Sequence, residues 1–345
     1  MARGPKSPQV PLELWSELYQ AAIAFNDCGP WTILEPDAVV AVINPENQEP
    51  GYCCVMGHMG QIFGMEVYLG GLGHNTLSEI MNAVGQPPMD IAYRKNSLYL
   101  EFVGSDEPTK EEKSIIRKLG LKFRGPAAWP LFRSCRPDCV PWFLEEPEVR
   151  FFAIALRQIV AVCERVLAES TLVLPPTRHD GYLTRVPESR DGRVVWSDRW
   201  VKPKPFEKPP LPVMVFDEVR FAQAKKKVKH IDKSWAVGLL SAMPVEDDER
   251  PYYTRLFLAA DEKSGYLFAS AIMHPKSYHE LLLPKLIEVI EKTGIMPSTI
   301  RISSPDLHAL LKAPLKRMGI EVKLVKNLPV IEEAYESMLE YFGNQ

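Results

Sequence analysis

The alternation of apolar and polar positions divides the chain into helices and strands along its whole length. Leu12, Trp15, Leu18, Tyr19, Ala22 and Phe25 recur at three-four spacing and predict a first helix from Leu12 to about Asn26, ended by Asn26-Asp27-Cys28-Gly29-Pro30. Three short apolar segments follow, Ala38 to Ile43, Tyr52 to Met56 and Met65 to Leu69. Turn residues at Asn44-Pro45-Glu46-Asn47 and from Gly57 to Gly64 separate them, which is the pattern of an antiparallel meander. A helix from Asn75 to Val84, a strand from Ser97 to Val103 and a helix from Pro108 to Leu119 come next, the last with Thr109 and Glu112 spaced as a capping box. Glu148 to Leu167 has the broad apolar face of a buried helix, and Tyr182 to Val186 with Arg193 to Val201 predict a hairpin.

Residues 202–212 hold five prolines and cannot form an interior helix or a central strand, so they read as a linker between domains at 1–201 and 213–345. Beyond it, Ser234 to Met243, Thr254 to Ala260 and Tyr266 to Ile272 predict three strands. They lead into a helix (Tyr278 to Lys292), a strand (Thr299 to Ser303), a helix (Asp306 to Met318), a strand (Glu321 to Val325) and a helix from Ile331 to about Phe342. The expected class is α+β with two domains, each a meander leading into alternating helices and strands.

Length and charge narrow the function. A chain of 345 residues is long enough for two cores. The 41 basic and 44 acidic residues leave a net charge of -3, with no basic surplus in either half, so nucleic acid is an unfavoured partner. Charges interrupt the first apolar segment, and no stretch has the apolar length of a membrane span, so a cytoplasmic protein without membrane contact is expected. Six cysteines are too sparse for a disulfide framework. Cys135 and Cys139 are the one pair with local metal-like spacing, but without a second pair they read as reduced structural thiols, and no cofactor or metal is expected.

Two resemblances bear on this reading. Gly51-Tyr52-Cys53-Cys54-Val55-Met56-Gly57, Val67-Tyr68-Leu69-Gly70, Leu119 to Gly125, Trp129-Pro130 and Trp196 to Trp200 resemble a family of uncharacterised bacterial proteins. The second half, with Arg250-Pro251-Tyr252-Tyr253 and Leu328-Pro329, is similar to a separate domain of unknown function that accompanies the first. Together they imply a bacterial source and two domains, but no reaction. The element order of the second half also resembles the ribonuclease H-like fold, in a degenerate form. An active member needs carboxylates at strand ends to hold magnesium, yet Ser234 to Met243 contains none. Asp261 and Asp306 read as a hairpin turn and a helix start.

The remaining candidates are sparse. Lys225-Lys226-Lys227-Val228-Lys229-His230 reads as a solvated helix end, with phosphate contact as the alternative. The histidines at 58, 74, 179, 230, 274, 279 and 308 show no metal spacing, and neither a nucleophile elbow nor a phosphate loop occurs, so no catalytic residue is assigned. One junction has a direct route to a ligand. In Gly70, Gly71, Gly73, His74, Asn75 and Thr76 a strand ends, glycines bare the main chain and a helix begins, with Asn75 or Thr76 as cap. Free N–H groups there attract an anion, whereas a tight structural turn would use the same glycines for conformation alone. The reading is a binding or interaction protein, with room for a protein partner or a second copy. The competing class is an enzyme acting on nucleic acid or a phosphorylated small molecule.

Overall fold

The structure, a computed structural model, describes residues 9–83, 89–169, 171–173, 181–247 and 249–343. Internal packing divides the chain into two units, Met1–Glu207 with Asp247–Pro251, and Lys208–Glu246 with Tyr252–Gln345. The architecture is mixed helix and sheet in both, an α+β protein as its periodicities predict.

In the first unit the chain runs through α1 (Leu12–Cys28), β1 (Val39–Ile43), β2 (Pro50–Met56), β3 (Gly64–Leu69), α2 (Gly70–Met81), β4 (Ser97–Val103), α3 (Lys110–Lys118), β5 (Trp129–Cys135), α4 (Glu146–Ala168), β6 (Tyr182–Arg190) and β7 (Arg193–Val201). The strands form one sheet in the order β5-β4-β3-β2-β1-β6-β7. Neighbours are antiparallel except β1 and β6, which run parallel through Val40 opposite Leu183.

Side chains alternate between the faces of each strand. Val40, Val42, Cys53, Val55, Met65, Val67, Leu98 and Leu100 therefore turn to one face, where α1 and α4 cover them. Val39, Ala41, Tyr52 and Tyr68 turn to the other, beneath Leu77 of α2. The adjacent thiols follow this alternation, Cys53 entering the main core and Cys54 packing with the α2 face. The capping box of α3 is present, with the Glu112 amide donating to Thr109 Oγ1 and the Thr109 amide to Glu112 Oε2.

The second unit contains α5 (Glu218–Lys227), β8 (His230–Val245), β9 (Tyr252–Asp261), β10 (Leu267–Met273), α6 (Tyr278–Thr293), β11 (Ile295–Ile302), α7 (Pro305–Arg317), β12 (Glu321–Leu324) and α8 (Pro329–Gly343). Its sheet order is β10-β9-β8-β11-β12, antiparallel across β10, β9 and β8 and parallel across β8, β11 and β12. Trp235, Val237, Phe257 and Ala259 face a core shared with α6 and α7, and Ala236, Leu256, Leu258 and Ala260 face Leu328 and Ile331 at the start of α8. Among the described residues no helix is long and apolar enough to cross a membrane.

Several element boundaries differ from expectation. Helix α2 starts at Gly70 rather than Asn75, because β3 passes into it without a loop, and its expected end at Val84 lies outside the described residues. The chain turns at Gly70 with φ +60°, a value that only glycine adopts without strain. Strand β8 begins at His230 rather than Ser234, which brings Asp232 onto it.

Candidate functional site

Four stretches of the first unit meet at one end of its sheet and line an open cavity of about 400 Å³. They are the β1–β2 turn (Asn44, Asn47, Glu49, Pro50), the junction from Leu69 to Leu72, the entry to β4 (Asn96, Leu98) and the first turns of α4 (Pro147, Glu148, Phe151). The volume lies within the range of small-molecule pockets.

The polar groups of the wall can be sorted by what the fold already uses. In the β1–β2 turn the Glu46 amide donates to Asn44 Oδ1 at 3.0 Å, and the Glu49 amide donates to Asn47 Oδ1 at 2.9 Å. These bonds orient both side-chain amides and leave their NH2 groups over. Asn44 is only 9% exposed as a residue, but its Nδ2 remains open to water at the cavity wall. Asn96 is held the other way: its Nδ2 donates to the Leu69 carbonyl at 3.0 Å, which leaves Oδ1 as the free acceptor. Glu148 is fully engaged, with Oε2 accepting from the Glu145 amide and Oε1 from Ser134 Oγ and Arg136. The Glu49 side chain is exposed, and its Oε2 lies 3.3 Å from the position a β-carbon on Gly70 would take.

Helix α2 has no side chain capping its start. The first N–H groups of a helix lack acceptors within it and carry the positive end of its dipole. Gly70, Gly71 and Leu72 therefore bring main-chain donors to the cavity wall. Phe206 lies against the same turn, 3.6 Å from the position of a Gly71 β-carbon.

Of the six junction residues singled out in the sequence, only Gly70 and Gly71 line the cavity. Gly73 is buried where the Asn96 carbonyl would come within 2.7 Å of a β-carbon, so close backbone approach explains it. Asn75 and Thr76 do not cap the helix, because its early start places them past the first turn. Asn75 Nδ2 donates to Glu79 Oε1, and Thr76 Oγ1 donates to the Leu72 carbonyl.

His74 lies on the α2 face of the sheet, packed on Tyr52 at 4.7 Å between ring centroids and on Tyr182 at 5.7 Å. Burial lowers its pKa from the ordinary 6.5, and burial is also the first cause that pushes Tyr52 up to about 12. An unfolded chain takes up the His74 proton more readily, so this residue's contribution to stability is lost as pH falls from about 6.5 toward the lower folded value. His74→Phe should flatten the pH dependence of urea unfolding in that window. An unchanged slope between pH 5 and 7 would remove His74 as its source.

The other candidates have structural partners. Asp261 Oδ1 accepts from the Ser264 amide and hydroxyl in the β9–β10 turn, as its turn reading predicts. Ser304 caps α7 through the Leu307 amide, with Asp306 in the first turn. Lys225, Lys226 and Lys227 form the last turn of α5. Cys135 lies on β5 and is a free thiol, as is Cys139, and no cluster able to hold a metal occurs among the described residues. His179 lies outside the described residues.

Residues 15–185 match a family model described as a domain of unknown function (DUF7309), and residues 220–339 match a second, also described as a domain of unknown function (DUF6930). The pair supports an uncharacterised two-domain family, and every cavity residue falls within the first match. No curated protein and no solved structure matches the chain.

Proposed function

We propose that the protein is a non-catalytic binding protein whose first unit takes a small molecule bearing an anionic group into this cavity. The observation that carries the reading is the uncapped start of α2 opening onto a cavity of about 400 Å³. Gly70, Gly71 and Leu72 offer main-chain donors there, and the Asn44 side-chain amide adds a donor. Catalysis is disfavoured because Glu148, one of the two carboxylates at the wall, is already committed to an arginine, a serine and a main-chain amide, and among the described wall residues no nucleophile stands beside a base. A reducing, cytoplasmic setting accords with six free thiols.

Calorimetric titration with acetate, phosphate, nucleotides and amino acids tests this. Wild type should bind at least one of them, and Gly71→Asp should abolish binding with little change in melting temperature. The new carboxylate would compete for the same donors, while the β-carbon meets Phe206 only at ordinary contact distance. Undetectable binding by wild type, or equal binding by the variant, would refute the site.

For the second unit we propose a ribonuclease H-like domain without nuclease activity. The strand order β10-β9-β8-β11-β12, with helices after β10, β11 and β12, supports the fold. The interior of β8 beyond Asp232 has no carboxylate. Asp232 itself accepts from Trp235 Nε1 at 3.2 Å and sits at the start of the strand. Purified protein with magnesium or manganese should leave DNA and RNA intact. Cleavage that Asp232→Asn or Asp261→Asn abolishes would overturn the proposal.

A further inference from the structure

We propose that Cys28 and Cys163 close a reversible disulfide when the protein meets a peroxide, clamping helix α1 to helix α4 within the first unit. Cys28 is the last residue of α1, and Cys163 lies toward the end of α4. The two helices pack on each other against the sheet, and both cysteines belong to the apolar cluster they share. Their side chains meet there, thiol to thiol, in a hydrogen bond. Cys53 and Cys54, although adjacent in sequence, turn to opposite faces of β2 and make no such pair. Neither Cys28 nor Cys163 lines the cavity, so the clamp stands apart from the binding reading.

The surroundings of the two thiols differ, and the difference assigns their roles. Cys163 is fully buried, whereas Cys28 keeps part of its surface in water, where an oxidant reaches it. The hydrogen bond favours Cys28 as the ionised partner, because the Cys163 S–H donates to its thiolate. Cys28 is therefore the attacking sulfur and Cys163 the resolving one. The Cys28 thiolate attacks one peroxide oxygen, the O–O bond breaks, and the departing hydroxide takes a proton to become water. The Cys163 sulfur then displaces the oxygen of the Cys28 sulfenic acid, which leaves with the Cys163 proton as a second water. Two thiols lose two electrons, and one peroxide is reduced to two waters. Burial, reinforced by Glu164, holds both thiols above their usual range, so the first step is slow and the clamp answers to sustained oxidant. The closed link spans the chain that carries β1 to β5, and it restricts the unfolded state of that whole segment.

The test exposes the reduced full chain to hydrogen peroxide, blocks the remaining thiols by alkylation and maps the digest by mass spectrometry. Wild type should yield the Cys28 and Cys163 peptides joined within a single chain, two hydrogens lighter than their sum and separated again by dithiothreitol. Its melting temperature should rise by several degrees on oxidation and fall back on reduction. Cys28→Ser, at a partly exposed helix end, should fold as wild type does and lose both the link and the melting shift. Cys163→Ala should leave Cys28 as a sulfenic acid that dimedone captures. Should that buried replacement fail to fold, the comparison of wild type with Cys28→Ser decides the matter alone. Oxidised Cys28 with Cys163 still open to alkylation, or a melting shift that persists in Cys28→Ser, would overturn the proposal.

Discussion

Glu66→Ala is expected to lower the stability of the first unit by about 3 kcal/mol, because it removes the shared acceptor of a buried polar cluster. Glu66 is 4% exposed on β3 and accepts from Tyr68 Oη at 2.9 Å, Lys95 Nζ at 3.0 Å and Ser97 Oγ at 2.6 Å. Register explains the meeting, since Tyr68 lies opposite Ser97 on β4 and Glu66 is the next residue of β3 on the same face. Alanine would leave one ammonium and two hydroxyls without their acceptor. Lys95 keeps about a quarter of its side chain in water, which holds the loss at the lower end of the range for broken buried pairs. Glu66→Gln retains an acceptor and the side-chain volume and should fall between wild type and alanine. Six of the seven tryptophans precede residue 207, so urea unfolding followed by tryptophan fluorescence reports chiefly on this unit. A loss below about 1 kcal/mol for alanine would mean the cluster is replaceable by water.

Trp235→Ala should cost the second unit roughly 3–5 kcal/mol. Trp235 is fully buried at the centre of β8, its ring 4.6 Å from that of Phe268, with Nε1 donating to Asp232. Truncation leaves a cavity between the sheet and the two helices α6 and α7, which a rigid core fills only in part. Trp235→Phe keeps most of the packing and should recover more than half of the loss. Because the substitution also removes the seventh tryptophan, circular dichroism is the suitable signal. Equal stability of the alanine and phenylalanine variants would place the core's support elsewhere.

Legibility of the fold followed periodicity. The β6–β7 hairpin and helix α4 were readable because alternation and three-four spacing persist over many residues. Strand β5 was missed: Pro130 within Trp129–Cys135 argues against a central strand, and the segment is in fact the edge of its sheet, where proline is tolerated. Helix α5 was seen only as the lysine run at its end, since its mostly polar sequence offers a narrow apolar stripe in Phe221 and Ala224. At the cavity, Gly70 and Gly71 stood out because glycine is unusual at a strand-to-helix junction. Asn44, Asn47 and Asn96 did not, because an asparagine in a turn looks the same whether its second hydrogen-bonding group faces water or a ligand. Glu49 and Phe151 are roughly 100 residues apart, and only the folded sheet end brings them together.

The parallel pairing of β1 with β6 also governs when the first unit can fold. Val40 and Leu183 are roughly 140 residues apart, and β6 supplies the only neighbour on that side of β1 in the sheet. During synthesis the strands β1 to β5 can zip as successive antiparallel neighbours while that side of β1 still lacks its partner. A ribosome stalled before residue 182 would therefore display a half-finished sheet in which β1, interior in the finished sheet, is an open edge. Such a nascent chain is the stage at which this protein is most exposed to aggregation and most in need of a chaperone.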